Sequence, residues 1–230
     1  MRVRYWGFFS VCFVTLSLLA GVVAIEPSLA IKRVPTTHKV VAITFDDGPH
    51  PLTTPALLTV LGVKQAKATF FVLGSQVKEY PELAGAIVHN GQELASHSYH
   101  HRYLNKLTPA ELAEELDESE KVIAAVGPRP TLIRPPGGGY NDRLVRALRE
   151  RGYTTVLWTI DPRDWAGGSS QRIANTVLGQ IKPGSIVLLH EGECAAATPA
   201  AVGLIIDMLR NQGYELVTVS ELLQYYEVRP

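Results

Sequence analysis

The sequence is short of cysteine, of net charge and of repetition, and each shortage closes off a class of protein. Of its two cysteines, Cys12 falls in a leading apolar run and Cys194 stands alone after it. No internal disulfide can therefore staple the mature domain, even in an oxidising compartment. The 22 basic residues balance the 22 acidic ones, so there is no basic surplus to recruit nucleic acid. No internal repeat, low-complexity tract or second linker interrupts the chain, which excludes a solenoid or an array. What is there, 230 residues at 46% hydrophobic and 19% charged, suits one globular domain with a sizeable core and a short appendage.

The appendage comes first. Arg2 and Arg4 precede residues 5–25, which carry no charge at all. That run is longer than the usual core of a signal peptide and just long enough to cross a bilayer, so residues 1–30 read as a cleaved signal or an uncleaved anchor. Val22 with Ala24, or Ser28 with Ala30 behind the helix-breaking Pro27, offer the spacing a signal peptidase uses. In both cases the basic end stays inside and the rest of the chain is exported. Membrane contact is expected through this segment alone. Residues 31–39 read as a short polar tether, and 40–226 as the domain.

From residue 40 onward, apolar runs alternate with stretches of helical period. The runs at 40–45, 68–73, 93–96, 132–134, 154–159, 185–189 and 215–219 predict seven strands. Helix starts are expected at Thr54 before Pro55, at Thr108 before Pro109 with Glu111 three residues on, and at Ser220 before Glu221. In the acidic segment 111–126, Leu112, Leu116, Ile123 and Val126 fall near helical spacing, so its charges read as a solvated face without function. Strict alternation of strand and helix favours a parallel α/β sheet, either open or closed into a barrel.

The polar clusters fall at the C-terminal ends of these strands. Asp46 and Asp47 follow the first, His97 to His101 the third, Arg134 to Asn141 the fourth, Asp161 to Trp165 the fifth, and His190 the sixth. Such ends gather on one face in both barrels and open sheets, so five separated segments can converge on one pocket. His97 and His101, four apart, would share one face of a helical turn, a spacing that suits two ligands on one metal. His100 is an alternative second ligand on spacing alone, or a surface neighbour. Two imidazoles and one carboxylate make a facial set that leaves room for water and substrate. Adjacent side chains of an extended segment point in different directions. One of the paired aspartates can therefore bind metal while the other takes a proton. His190 is either a satisfied core histidine or a general acid for a leaving group.

Together these segments resemble the polysaccharide deacetylase family, the NodB-homology or carbohydrate esterase 4 enzymes. The family's five blocks read TFDDGP (44–49), HSYHH (97–101), RPPGGGYN (134–141), DPRDW (161–165) and LLH (188–190), in the family's order. The resemblance implies a distorted (β/α) barrel of about seven parallel strands forming a single catalytic domain. It implies that Asp46 is the catalytic base and that Asp47, His97 and His101 hold the metal. Arg134 resembles the arginine that holds the base, and Asp164 the acid that orients the catalytic histidine, His190. Trp165 and Leu188 match residues that wall the groove and receive the acetyl methyl, with ordinary core packing as the alternative. Gly137 matches the position whose backbone N–H helps hold an oxyanion. The family often carries an aromatic residue there, so a ring wall beside the sugar is lost in this chain.

The implied chemistry is removal of N-acetyl groups from amino sugars of an exported glycan, such as peptidoglycan or a chitin-like polymer. One divalent ion is expected, zinc from a His2Asp set, with cobalt or manganese as alternatives. It activates water and polarises the amide carbonyl, Asp46 takes the proton, and His190 protonates the departing amine. The expected partner is the N-acetylated glycan, the expected state a monomer, and the expected place extracytoplasmic: secreted, periplasmic or anchored. The competing readings are a non-catalytic glycan-binding module on the same fold and an O-deacetylase or amidase. Cys194, four residues past His190, reads as a bystander thiol.

Overall fold

The computed structural model describes residues 30–227. The expected leader up to residue 29, Cys12 included, lies outside the described residues. Among those described, no helix is long and apolar enough to cross a membrane. Strands β1 (Val40–Asp46), β2 (Thr69–Val72), β3 (Glu93–Ser96), β4 (Leu132–Ile133), β5 (Thr154–Thr155), β6 (Ile186–His190) and β7 (Glu215–Leu216) are all parallel. The helices between and after them are α1 (Thr53–Val63), α2 (Gly74–Glu79), α3 (Pro81–His89), α4 (Pro109–Ala124), α5 (Asp142–Glu150), α6 (Ser170–Leu178), α7 (Thr198–Asn211) and α8 (Val219–Leu223).

The sheet runs in the order β5, β4, β3, β2, β1, β6, with β7 joined to the first residues of β1. Beyond β5, Ile160 bridges Val187 of β6, so the sheet curls back on itself into the expected distorted barrel. The alternation of β1 explains both sides of the wall. Val41, Ile43 and Phe45 pack outward with Leu57 and Leu61 of α1 and Ile205 and Leu209 of α7. Val40 and Ala42 point inward with Phe71, Ala95, Leu132 and Val156. Thr44 and Asp46 continue that inward row at its far end, where polar groups replace the apolar ones.

Several boundaries differ from the sequence reading. Only Thr154–Thr155 of the expected strand 154–159 forms a ladder, because Val156 then pairs with Ile31 and Ile160 with Val187. The tether expected over 31–39 is seated on the domain. Ile31 N–H donates to Thr155 O at 2.9 Å, Leu157 N–H to Ile31 O at 2.7 Å, and Val34 is buried. The helix starts are mixed. Thr108 and Glu111 form the expected reciprocal capping box on α4. On α8 the cap is Thr218, with Glu221 as its partner, rather than Ser220. Thr54 lies inside the first turn of α1, behind Leu52.

Candidate active site

Register fixes the site's foundations. Asp46 at the end of β1 stands level with His190 at the end of β6 and Phe71 in β2. Asp47 then adopts a left-handed backbone with φ 74°. Its carboxylate leaves the inward row that Asp46 continues, so Asp47 meets His101 while Asp46 meets Arg134, and the two share only His97.

His97 follows β3 directly and is buried. His101 returns to it not through a helical turn, as its spacing suggested, but through an irregular loop in which Ser98 and His101 have φ 70° and 62°. The outcome is the same facial pairing, with Nε2 of His97 and of His101 at 3.5 and 3.4 Å from Asp47 Oδ1. Nδ1 of His97 lies 2.7 Å from the Arg134 carbonyl, which can only accept, so its proton sits there and Nε2 keeps a lone pair. Burial lowers the His97 pKa to about 3 against the pull of Asp47, which holds the ring neutral as a ligand must be. Asp47 Oδ1 is buried without a hydrogen-bond donor. Ligand atoms of Asp47, His97 and His101 lie within 4.8 Å of one another. A cradle of acceptors with no donor of its own fits a divalent cation. His100 takes no part, since its Nδ1 meets Glu115 Oε1 at 2.8 Å.

Asp46 stands outside that cradle. Arg134, wholly buried, donates from Nη1 to Asp46 Oδ1 at 2.5 Å and to Thr44 Oγ1 at 2.8 Å, and from Nη2 to Leu157 O at 3.2 Å. Its guanidinium lies 4.0 Å from the Phe71 ring centroid. Oδ2 of Asp46 is left 3.6 Å from His97 Nε2. Burial raises the Asp46 pKa, with Arg134 and His190 opposing it.

On the other flank His190 presents a fixed ring. Its Nδ1–H donates to Asp164 Oδ1 at 2.8 Å, while its backbone N–H and the Thr198 hydroxyl donate to Asp164 Oδ2 at 2.9 and 2.7 Å. Burial works against the imidazolium, yet the Asp164 hydrogen bond and the charges of Asp46 and Asp164 outweigh it and raise His190. Burial likewise pushes Asp164 up, and the bonds from His190 and Thr198 win and hold it below its ordinary value.

Asp46, Asp47, His97, His101, Gly137, Trp165, Leu188 and His190 line one open cleft of about 450 Å³, and Arg134 and Asp164 are buried behind it. Trp165 is exposed rather than part of the core, whereas Leu188 is nearly covered. The cleft also takes in Trp158, Asp161 and Cys194, so the thiol read as a bystander lies at its edge. Gly137 has φ 62°, and a Cβ there would come within 2.8 Å of Tyr103 Cε1. An aromatic ring thus stands beside Gly137 after all, carried by another loop.

The sequence reading passed over Thr44, Thr198, Glu115 and Glu191. Glu191 is buried, bonded by the Thr54 hydroxyl, and burial raises its pKa to about 8. Glu115 carried a legible signal. It falls in helical phase with Leu112, Leu116 and Ser119 on the buried stripe of α4, so the acidic run is not solvated throughout.

The model of the polysaccharide deacetylase family matches residues 33–156. A peptidoglycan-N-acetylglucosamine deacetylase of Bacillus cereus is 42% identical over 196 residues, covering 84% of this chain and 92% of its own. The peptidoglycan-N-acetylmuramic acid deacetylase PdaC of Bacillus subtilis is 40% identical over 192 residues, 83% of this chain and 40% of its own. Among solved structures, the Bc1960 peptidoglycan N-acetylglucosamine deacetylase superposes with a TM-score of 0.83 at 31% identity, covering 87% of this chain and 95% of that one. BA3943 of Bacillus anthracis, a CE4 family pseudoenzyme, reaches 0.82 at 30% identity, covering 89% and 72%.

Proposed function

Since this chain belongs to the polysaccharide deacetylase family, we propose that it removes N-acetyl groups from amino sugars of a peptidoglycan or chitin-like glycan. The observation that carries this reading is the separation of Asp46 from the cradle of Asp47, His97 and His101. One acid is left unligated beside a cation site, and a tethered imidazole faces it from β6.

Zinc, or cobalt or manganese in its place, would be held by Asp47, His97 and His101 and supplies Lewis acidity toward water and an amide carbonyl. Asp46 removes a proton from the attacking water through Oδ2, because Arg134 occupies Oδ1. Burial, which raises Asp46, makes it a stronger base than an exposed aspartate. The backbone N–H of Gly137 donates to the developing oxyanion. His190 delivers a proton from Nε2 to the leaving sugar amine, while Asp164 on Nδ1 keeps the ring charged and aligned. Trp165 and Leu188 border the space that receives the acetyl methyl.

Residues 40–226, with 31–39 seated on them, make the catalytic domain, working as a monomer, and residues 1–30 deliver it outside the cytoplasm as a signal or an anchor. The likeness to a pseudoenzyme supports a second reading, a glycan-binding module without turnover. The intact set of Asp46, His190 and cradle residues argues for turnover. The test is acetate release from N-acetylated peptidoglycan and from chitin oligomers by zinc-loaded protein, with and without chelator. Release that chelator abolishes is expected. Glycan binding with no acetate from either polymer would favour the second reading.

A further inference from the structure

α4 is acidic along its solvent face, yet one acid turns the other way. Glu115 is 3% exposed, whereas Glu114, Asp117 and Glu118 face solvent. A carboxylate leaves water only where donors replace its lost hydration. Three do so here. The backbone N–H groups of Tyr99 and His100 each donate to Oε2 at 3.0 Å, and His100 Nδ1 lies 2.8 Å from Oε1.

All three donors belong to the short loop between His97 and His101. That loop holds Ser98 and His101 in left-handed backbone, which residues with a Cβ resist and which persists only where surroundings over-determine it. Its carbonyls are gripped by α2, where Gly74 N–H donates to Ser98 O at 2.9 Å and Ser75 N–H to Tyr99 O at 3.1 Å. Two of its amides, those of Tyr99 and His100, are gripped by Glu115, while Ser98 N–H donates to Ser96 Oγ at 3.3 Å and His101 N–H to Ser98 Oγ at 3.1 Å, contacts internal to the strand end and the loop. Without that carboxylate, two inward-facing N–H groups lose their acceptor and the loop can relax toward right-handed backbone. His97 is anchored separately by the Arg134 carbonyl, so the residue that would drift is His101, whose Nε2 now lies 3.4 Å from Asp47 Oδ1.

We infer that Glu115 is the positioning residue of the cation cradle, acting through the backbone of residues 99 and 100 rather than by touching the ion. This rests on the metal-dependent reading above. The test is the zinc Kd of the full chain in mild detergent, by competition with a chromophoric chelator. The circular dichroism and Tm of the metal-free protein are measured in parallel. Glu115→Ala weakens zinc binding about 10–100-fold with the metal-free fold retained, the loss seen when groups supporting metal ligands are removed. Glu115→Gln keeps the reach of the acceptor and recovers most of the affinity. If Glu115→Ala does not fold, Glu115→Asp, whose carboxylate stops one methylene short, is read in its place by the same criterion. Unchanged zinc affinity with a lowered metal-free Tm would reduce Glu115 to a structural contact and overturn the inference. Wild-type protein that binds no zinc would overturn the metal-dependent reading as well.

Discussion

Asp46 and Asp47 are chain neighbours in unlike settings, one locked to a buried guanidinium, the other turned out by a left-handed residue. Asp46→Asn keeps an acceptor for Arg134 but cannot take a proton. Turnover should therefore fall at least about 100-fold, the typical worth of a general base, with zinc affinity little changed. His97→Ala should lose both. Chelator competition beside acetate release separates the two outcomes, and full turnover by Asp46→Asn would reverse the division of labour. The second residue-scale prediction concerns pH. The His190 pKa is raised and the Asp164 pKa lowered in the fold, so their pair is present between those two values, lost as pH rises through the elevated His190 value and again as it falls through the depressed Asp164 value. Asp164→Asn removes the main raising influence on His190. The alkaline limb of kcat/KM against pH should accordingly move to lower pH, and an unmoved limb would mean that another group sets it.

At the scale of elements, much of the fold could be read because parallel strands buried on both faces leave continuous apolar runs. The runs beginning at Val40 and Glu93 became β1 and β3 almost residue for residue. The run over 154–159 did not, because its pairing partners change along its length and partners are not written locally. Helix starts were legible where side chain and backbone cap each other. Thr108→Ala should cost about 1 kcal/mol and lower Tm by about 2–4 °C in a domain of this size, with acetate release unchanged. Ser220 misled because Thr218 two residues earlier satisfies the same pattern with Glu221. The acidic run of α4 misled in a different way, since counting charges hid the one that shared a phase with leucines. The site was readable as a set of strand ends. The backbone that joins His97 to His101 was not, because left-handed residues other than glycine leave little mark in sequence.

At the scale of the molecule, residues 31–34 belong to the wall of the barrel, bridging Val156 and Ser185. Protein starting at Ile31 should keep its full Tm. Protein starting at Val40 should lose several degrees, since burying Val34 alone is worth about 1.5–3 kcal/mol, and a scanning calorimeter decides between them. Zinc at about 100 times its Kd should stabilise the fold by about 2.7 kcal/mol, and chelator should remove that increment. Four of the non-glycine residues with left-handed backbone, Asp47, Ser98, His101 and Arg163, sit at the same rim of the barrel, beside the cleft. Conformations of this kind persist where function requires them, and glycine or asparagine accepts them more readily. A lineage propagated under heat without zinc, and with nothing to digest, would gain stability by change at these four places. Its changes would then sketch the outline of the cleft with no ligand present.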